Sequence, residues 1–110
     1  MINPPNFITL QDKIKHDGKI YQPITDENND VLFCVEYTLH EADIYHVSIV
    51  YFRGKVPMRW QIPATVYDVE EAISESKNFL RNELIPERSY NTIPKSELIQ
   101  SLSRKINYDA

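Results

Sequence analysis

The sequence predicts an α+β fold: a four-stranded antiparallel meander sheet packed by a helix at about 68–84, with a second, C-terminal helix at about 95–106. Three observations lead there. Residues 31–39, VLFCVEYTL, and 44–52, IYHVSIVYF, alternate apolar and polar positions with period two and are rich in β-branched and aromatic side chains, which is the strand signature. The loops between the strands place the apolar rows on one shared face. Finally, DVEEAISESKNFLRNELIP has the acidic start and the 3.6-residue apolar spacing of an amphipathic helix.

Taking the elements in order, NFITLQDKIKHDG allows a short N-terminal helix, with Asn6 as cap, Phe7, Leu10 and Ile14 on one face, and Gly18 at its end. KIYQPI is a short strand interrupted by Pro23, and TDENND is a polar turn. A three-residue loop, Glu41-Ala42-Asp43, sets Val35, Tyr37, Val47 and Ile49 on one face and His46 opposite Thr38. A two-residue Gly54-Lys55 turn then pairs Tyr51 with Met58 and Ile49 with Trp60. Proline cannot donate to a ladder, so Pro23, Pro57 and Pro63 mark the first and last strands as edges. Asp68 caps the long helix with Glu71 in the capping-box position. Val69, Ala72, Ile73, Phe79, Leu80 and Leu84 form its stripe. In PKSELIQSLSRKI, Leu98, Ile99, Leu102 and Ile106 fall on one side of the second helix. The expected organisation is one domain over 1–110, with an arm at 1–18, the sheet at 19–63 and the helices at 68–106.

Composition narrows the function. With 12 basic and 16 acidic residues the net charge is −4, which disfavours a protein whose affinity comes from neutralising nucleic-acid phosphates. A lone cysteine, Cys34, forms no internal disulfide and suits a reducing compartment. The apolar runs are too short for a membrane span, and MINPPNFITL is not a signal peptide, so a cytoplasmic protein is expected. Two glycines exclude the glycine-rich phosphate loops, and G-x-S-x-G, H-E-x-x-H and C-x-x-C do not occur. No cofactor is expected, and a non-enzymatic role is the stronger class.

Several residues are candidates for chemistry or binding. His40 and His46 share the outer face of the sheet with Glu36, but two imidazoles and a distant carboxylate fall short of the usual zinc set. Cys34 lies on that face with no cation beside it to favour the thiolate. The acids of DENND suit a turn and lack the glycine and closing glutamate of a calcium loop. Arg53, Lys55 and Arg59 form a candidate cationic edge for nucleic acid. Leu32, Val50, Phe52 and Pro57 break the polarity of the outer face. They either lie under a helix of the chain itself or form an exposed patch for a partner.

The stretch IYHVSIVYFRGKVPMRWQIPATVYDVEEAISESKNFL resembles the three-strands-then-helix plan of the arm-type DNA-binding domains of tyrosine recombinases, with DVEEAISESKNFL in the place of their helix. The resemblance implies that fold and a DNA-reading sheet face. The basic face of that family is replaced here by Glu36, Thr38, His40, His46 and Ser48, with Arg59 the one strong base. The expected function is therefore a small cytosolic binding or regulatory protein, of the size of phage or mobile-element accessory proteins, acting through a protein partner or as a homodimer. The alternative is a nucleic-acid-binding module that uses the Arg53/Lys55/Arg59 edge.

Overall fold

The computed structural model describes residues 8–9, 12–41, 44–66, 69–79, 81–82 and 91–108. It is an α+β protein built on a mainly antiparallel sheet, but the four-stranded plan with two flanking helices is overturned. Among the described residues, eight strands form the sheet: β1 (Ile8–Thr9), β2 (Ile14–His16), β3 (Lys19–Thr25), β4 (Asp30–Glu41), β5 (Ile44–Arg53), β6 (Val56–Val66), β7 (Ile93–Pro94) and β8 (Asn107–Tyr108). Their order is β1-β3-β4-β5-β6-β8, with β2 also paired to β3 and β7 to β4. All pairings are antiparallel except β6 with β8.

The expected N-terminal helix is replaced by strands. Asp17 and Gly18 both take positive φ, 52° and 75°, and join β2 to β3 through a two-residue turn. Asp-Gly is a favoured pair where both central residues need positive φ, so Gly18 opens a hairpin rather than closing a helix. Along the outer edge of β3, β2 pairs Lys19 to Tyr21 and β1 pairs Ile24 and Thr25. Gln22 and Pro23 fall in the gap between them. Pro23 thus sits where no donor is required on that side, although β3 is not the edge strand its proline suggests.

The next turn is held by a side chain. Asp26 Oδ1 accepts from the backbone N–H of Asn28 at 2.9 Å and of Asp30 at 3.1 Å, while Asn29 adopts φ 66°. The acid of DENND therefore works as a turn-former. Asp26→Ala should lower stability by about 1–2 kcal/mol through loss of both bonds, read as a lower urea midpoint with an unchanged slope.

In the central hairpins Thr38 pairs with His46, Val35 with Ile49, Tyr51 with Met58 and Ile49 with Trp60. The β4–β5 loop differs from the three-residue expectation: Glu41 belongs to β4 and pairs with Ile44, and the register shifts between Leu39 and Glu41. A bulge adds one residue to a strand, so it restores the parity that a two-residue connection would break. Further on, the β5–β6 register shifts between His46 and Ser48, opposite the stretch of β6 that holds Pro63. β6 is not an edge either, since β8 pairs with Met58 and Arg59, but Pro57 and Pro63 both lie outside that pairing.

Phe33, Val35, Tyr37, Val47, Ile49 and Tyr51 fill the expected apolar face and are buried. Helix α1 (Val69–Phe79) lies against β4 and β6. It falls within the expected 68–84, of which Asp68, Leu80 and Leu84 lie outside the described residues. Glu70 and Glu71 stand in its first turn and Lys77 in its last, the polarity that suits the helix dipole.

The second helix is smaller than expected. A 3₁₀ turn over Lys95–Glu97 leads into the five-residue α2 (Leu98–Leu102). Ser103 closes it, its hydroxyl donating to the Ile99 carbonyl at 2.9 Å. Leu98 and Leu102, four apart, are its buried apolar positions, with Ser101 buried beside them, whereas Ile99 is 59% exposed. Ile106 still reaches the core from the chain beyond the helix.

This C-terminal segment gives the sheet its second covered face. Tyr21, Cys34, Val50 and Phe52 form one apolar cluster with Ile93, Leu98 and Leu102. The segment is anchored at both ends: β7 pairs with Asp30 and Val31 of β4, and β8 with β6. Asn91 adds a third tie, donating its N–H to the Phe52 carbonyl at 2.7 Å and accepting from Gly54 N–H. Gly54 takes φ 62°, as the first residue of this tight turn needs.

Candidate functional site: a cationic cleft over a buried ion pair

Because the C-terminal segment crosses the outer face, polar residues on that face lose water. Glu36 is 3% exposed and Arg59 9%. Neighbouring strands bring them together: Glu36 pairs with Ser48, Ser48 with Gln61, and Arg59 lies two residues before Gln61 on the same side of β6. Arg59 Nε donates to Glu36 Oε1 and Nη2 to Oε2, both at 2.7 Å, the two-pronged geometry in which guanidinium and carboxylate fit best. Tyr21, opposite Glu36 on β3, donates its hydroxyl to Oε2 at 2.8 Å. Lys19 Nζ stands 3.9 Å from Oε1.

The electrostatics follow from this burial. Desolvation works against the charge on Arg59, but the Glu36 carboxylate, joined by the Tyr108 hydroxyl, outweighs it and holds the guanidinium above its ordinary pKa. Tyr21 is pushed well above the usual phenol value, first by burial and then by the adjoining carboxylate. The pair is thus a fixed internal dipole.

Above the pair opens a cleft of about 360 Å³. Lys19 and Arg59 line it from the sheet, and Arg104 and Lys105 from the chain after α2. His16 and Tyr21 add aromatic walls, with Leu102 and Ile106 from the C-terminal segment. Asp17 is the one carboxylate of the lining among the described residues. Among the described residues, four cations against Asp17 and the underlying Glu36 leave an excess of two positive charges, in a chain whose total is −4. Tyr108 of β8 lies over the Arg59 guanidinium, 5.3 Å from ring centroid to Cζ, and screens that end of the pair.

The other candidates are placed differently. Leu32, Val50 and Phe52 are 3%, 0% and 0% exposed, and Pro57 is buried. Val50 and Phe52 belong to the second core, so of the two readings of these residues the structure has the chain covering them itself. Arg53, Lys55 and Arg59 do not make one cationic edge. Arg53 lies against the Tyr51 ring, Lys55 pairs with Glu97 at 3.8 Å, and Arg59 turns toward Glu36. His46 is exposed on the outer face, and the His40 side chain lies outside the described residues. Among the described residues no group of three or more His, Cys, Asp or Glu side chains is arranged to hold a metal ion. No described helix is long and apolar enough to cross a membrane.

Cys34 is fully buried in the cluster. Burial, and secondarily the Glu36 carboxylate, raise its thiol pKa well above the ordinary value. Native protein should therefore fail to react with a thiol reagent at pH 8 and react at once in denaturant. The folded-state pKa is the higher one, so this contribution to stability is complete below about pH 8.5 and declines as pH rises past it. Unfolding titrations of wild type and Cys34→Ala should diverge above that pH.

The cleft was hidden from sequence reading because its walls are 40 or more residues apart in the chain. The usable signal was the register itself, which puts Glu36 and Arg59 on one face two strands apart. Comparison with protein-family models, curated proteins and solved structures found no match for this chain. The likeness to arm-type DNA-binding domains rests on the strand-and-helix pattern alone.

Proposed function

We propose that this chain is a small, non-enzymatic binding protein that recognises an anionic group in the cleft between Lys19 and Arg104–Lys105. The supporting observation is the concentration of positive charge at one recess of an otherwise acidic molecule. A local field of that kind attracts an anion to the recess while the rest of the surface repels it. The Glu36–Arg59 pair serves as the rigid floor, and Lys19, Arg104 and Lys105 are the donors available above it. No ion pair engages Arg104 or Lys105 among the described residues.

The test is thermal denaturation at low salt in the presence of phosphate, pyrophosphate, citrate or a short oligonucleotide. A ligand at a hundredfold excess over its Kd adds about 2.7 kcal/mol to stability, enough to raise the melting temperature by several degrees. At least one of these anions should do so. The rise should vanish in Lys19→Glu/Arg104→Glu and survive in Arg53→Glu/Lys55→Glu. Absence of any shift, or a shift lost only in the second variant, contradicts the proposal.

A further inference from the structure

Resting on that reading, we infer that the ligand is a compact, multiply charged oxyanion of the phosphate-ester class, gripped from both sides, rather than a nucleic-acid strand. Lys19 belongs to β3, whereas Arg104 and Lys105 follow α2. A single carboxylate can neutralise one wall only. A phosphoryl group presents two charges and several acceptor oxygens to both walls at once. The cleft volume of about 360 Å³ is near the lower bound of small-ligand sites, roughly 300–1,000 Å³. The walls offer little apolar surface, since Tyr21 and Leu102 are 2% and 3% exposed, so the charged group of the ligand makes most of the contacts.

A polymer is disfavoured by what lies outside the recess. A strand of nucleic acid must run across several nucleotides of cationic surface, with aromatic platforms along the track. The chain has four more acids than bases, and Lys55 at the far turn is paired with Glu97. Charge confined to one recess fits a ligand confined to it.

The experiment is isothermal titration of the full chain with inorganic pyrophosphate, citrate and a twelve-nucleotide single strand, each at low and at physiological salt. Pyrophosphate is expected to bind with 1:1 stoichiometry. It should bind at least about tenfold more weakly to Lys19→Gln and to Arg104→Gln/Lys105→Gln, as loss of a charge-assisted hydrogen bond requires. Circular dichroism of the variants excludes loss of fold, and Arg53→Gln should bind like wild type. Oligonucleotide binding tighter than pyrophosphate, and lost in the same variants, overturns the compact-ligand inference but leaves the cleft as the binding site. Citrate equal to pyrophosphate overturns the phosphate assignment. Binding unaffected by the cleft variants, or no binding of any anion, overturns this inference and the functional reading together.

Discussion

Arg59→Met destabilises the fold by about 3–5 kcal/mol, the cost of stranding a buried carboxylate. Glu36 has 3% of its surface exposed, and the two short bonds from Arg59 supply most of what replaces its water. Tyr21 supplies one more hydrogen bond, and Lys19 lies at the edge of ion-pair range, too far to compensate. A domain of this size has about 5–15 kcal/mol of total stability, so the loss consumes a large share of it. Glu36→Leu should cost a comparable amount by stranding Arg59. The double variant Glu36→Leu/Arg59→Met should recover most of the loss, because two apolar side chains carry no charge to desolvate. Urea unfolding of the three variants measures the coupling directly. Additive losses would mean that the two residues do not depend on each other.

Phe52→Asp unfolds the protein. Phe52 is 0% exposed, clustered with Val50, Ile93 and Leu98, and its carbonyl receives the Asn91 N–H. Truncation to alanine alone should cost about 3–5 kcal/mol through the cavity left behind. Aspartate adds a carboxylate with no partner in an apolar cluster, a penalty of several kcal/mol more. Were Phe52 on an exposed partner patch, the same change would leave stability within about 0.5 kcal/mol. Near-ultraviolet circular dichroism and the urea midpoint distinguish these outcomes. The expectation is loss of the native signal in Phe52→Asp and a folded but weakened Phe52→Ala.

The parts of the fold legible in the sequence were those with strong local periodicity. Strands β4, β5 and β6 alternate cleanly, and only some loop lengths align their apolar rows, so pairs such as Ile49 with Trp60 follow from pattern alone. Where elements are two or three residues long, no period exists to read. That is why β1, β2, β7 and β8 escaped notice, and why Phe7, Leu10 and Ile14 resembled a helical stripe. Asp17-Gly18 was the one local signal of the β2–β3 hairpin. The outer face was misread for a different reason. Its polar residues implied water, but Glu36 and Arg59 satisfy each other beneath residues 91–108. Burial of a charged residue cannot be seen in its own strand; it depends on a partner two strands away and a cover from the far end of the chain.

The surface that results is uneven in a way that composition hides. An acidic chain places four cations round one cleft, and the tight turn at Gly54, expected to be part of a binding edge, is instead stitched to Asn91. Titration of isotope-labelled protein with pyrophosphate, followed by amide chemical shifts, tests the central claim most directly. The account expects saturable shifts at His16–Lys19, Arg59 and Ser103–Ile106. Shifts confined to the Arg53–Lys55 turn, or none at millimolar ligand, would contradict it.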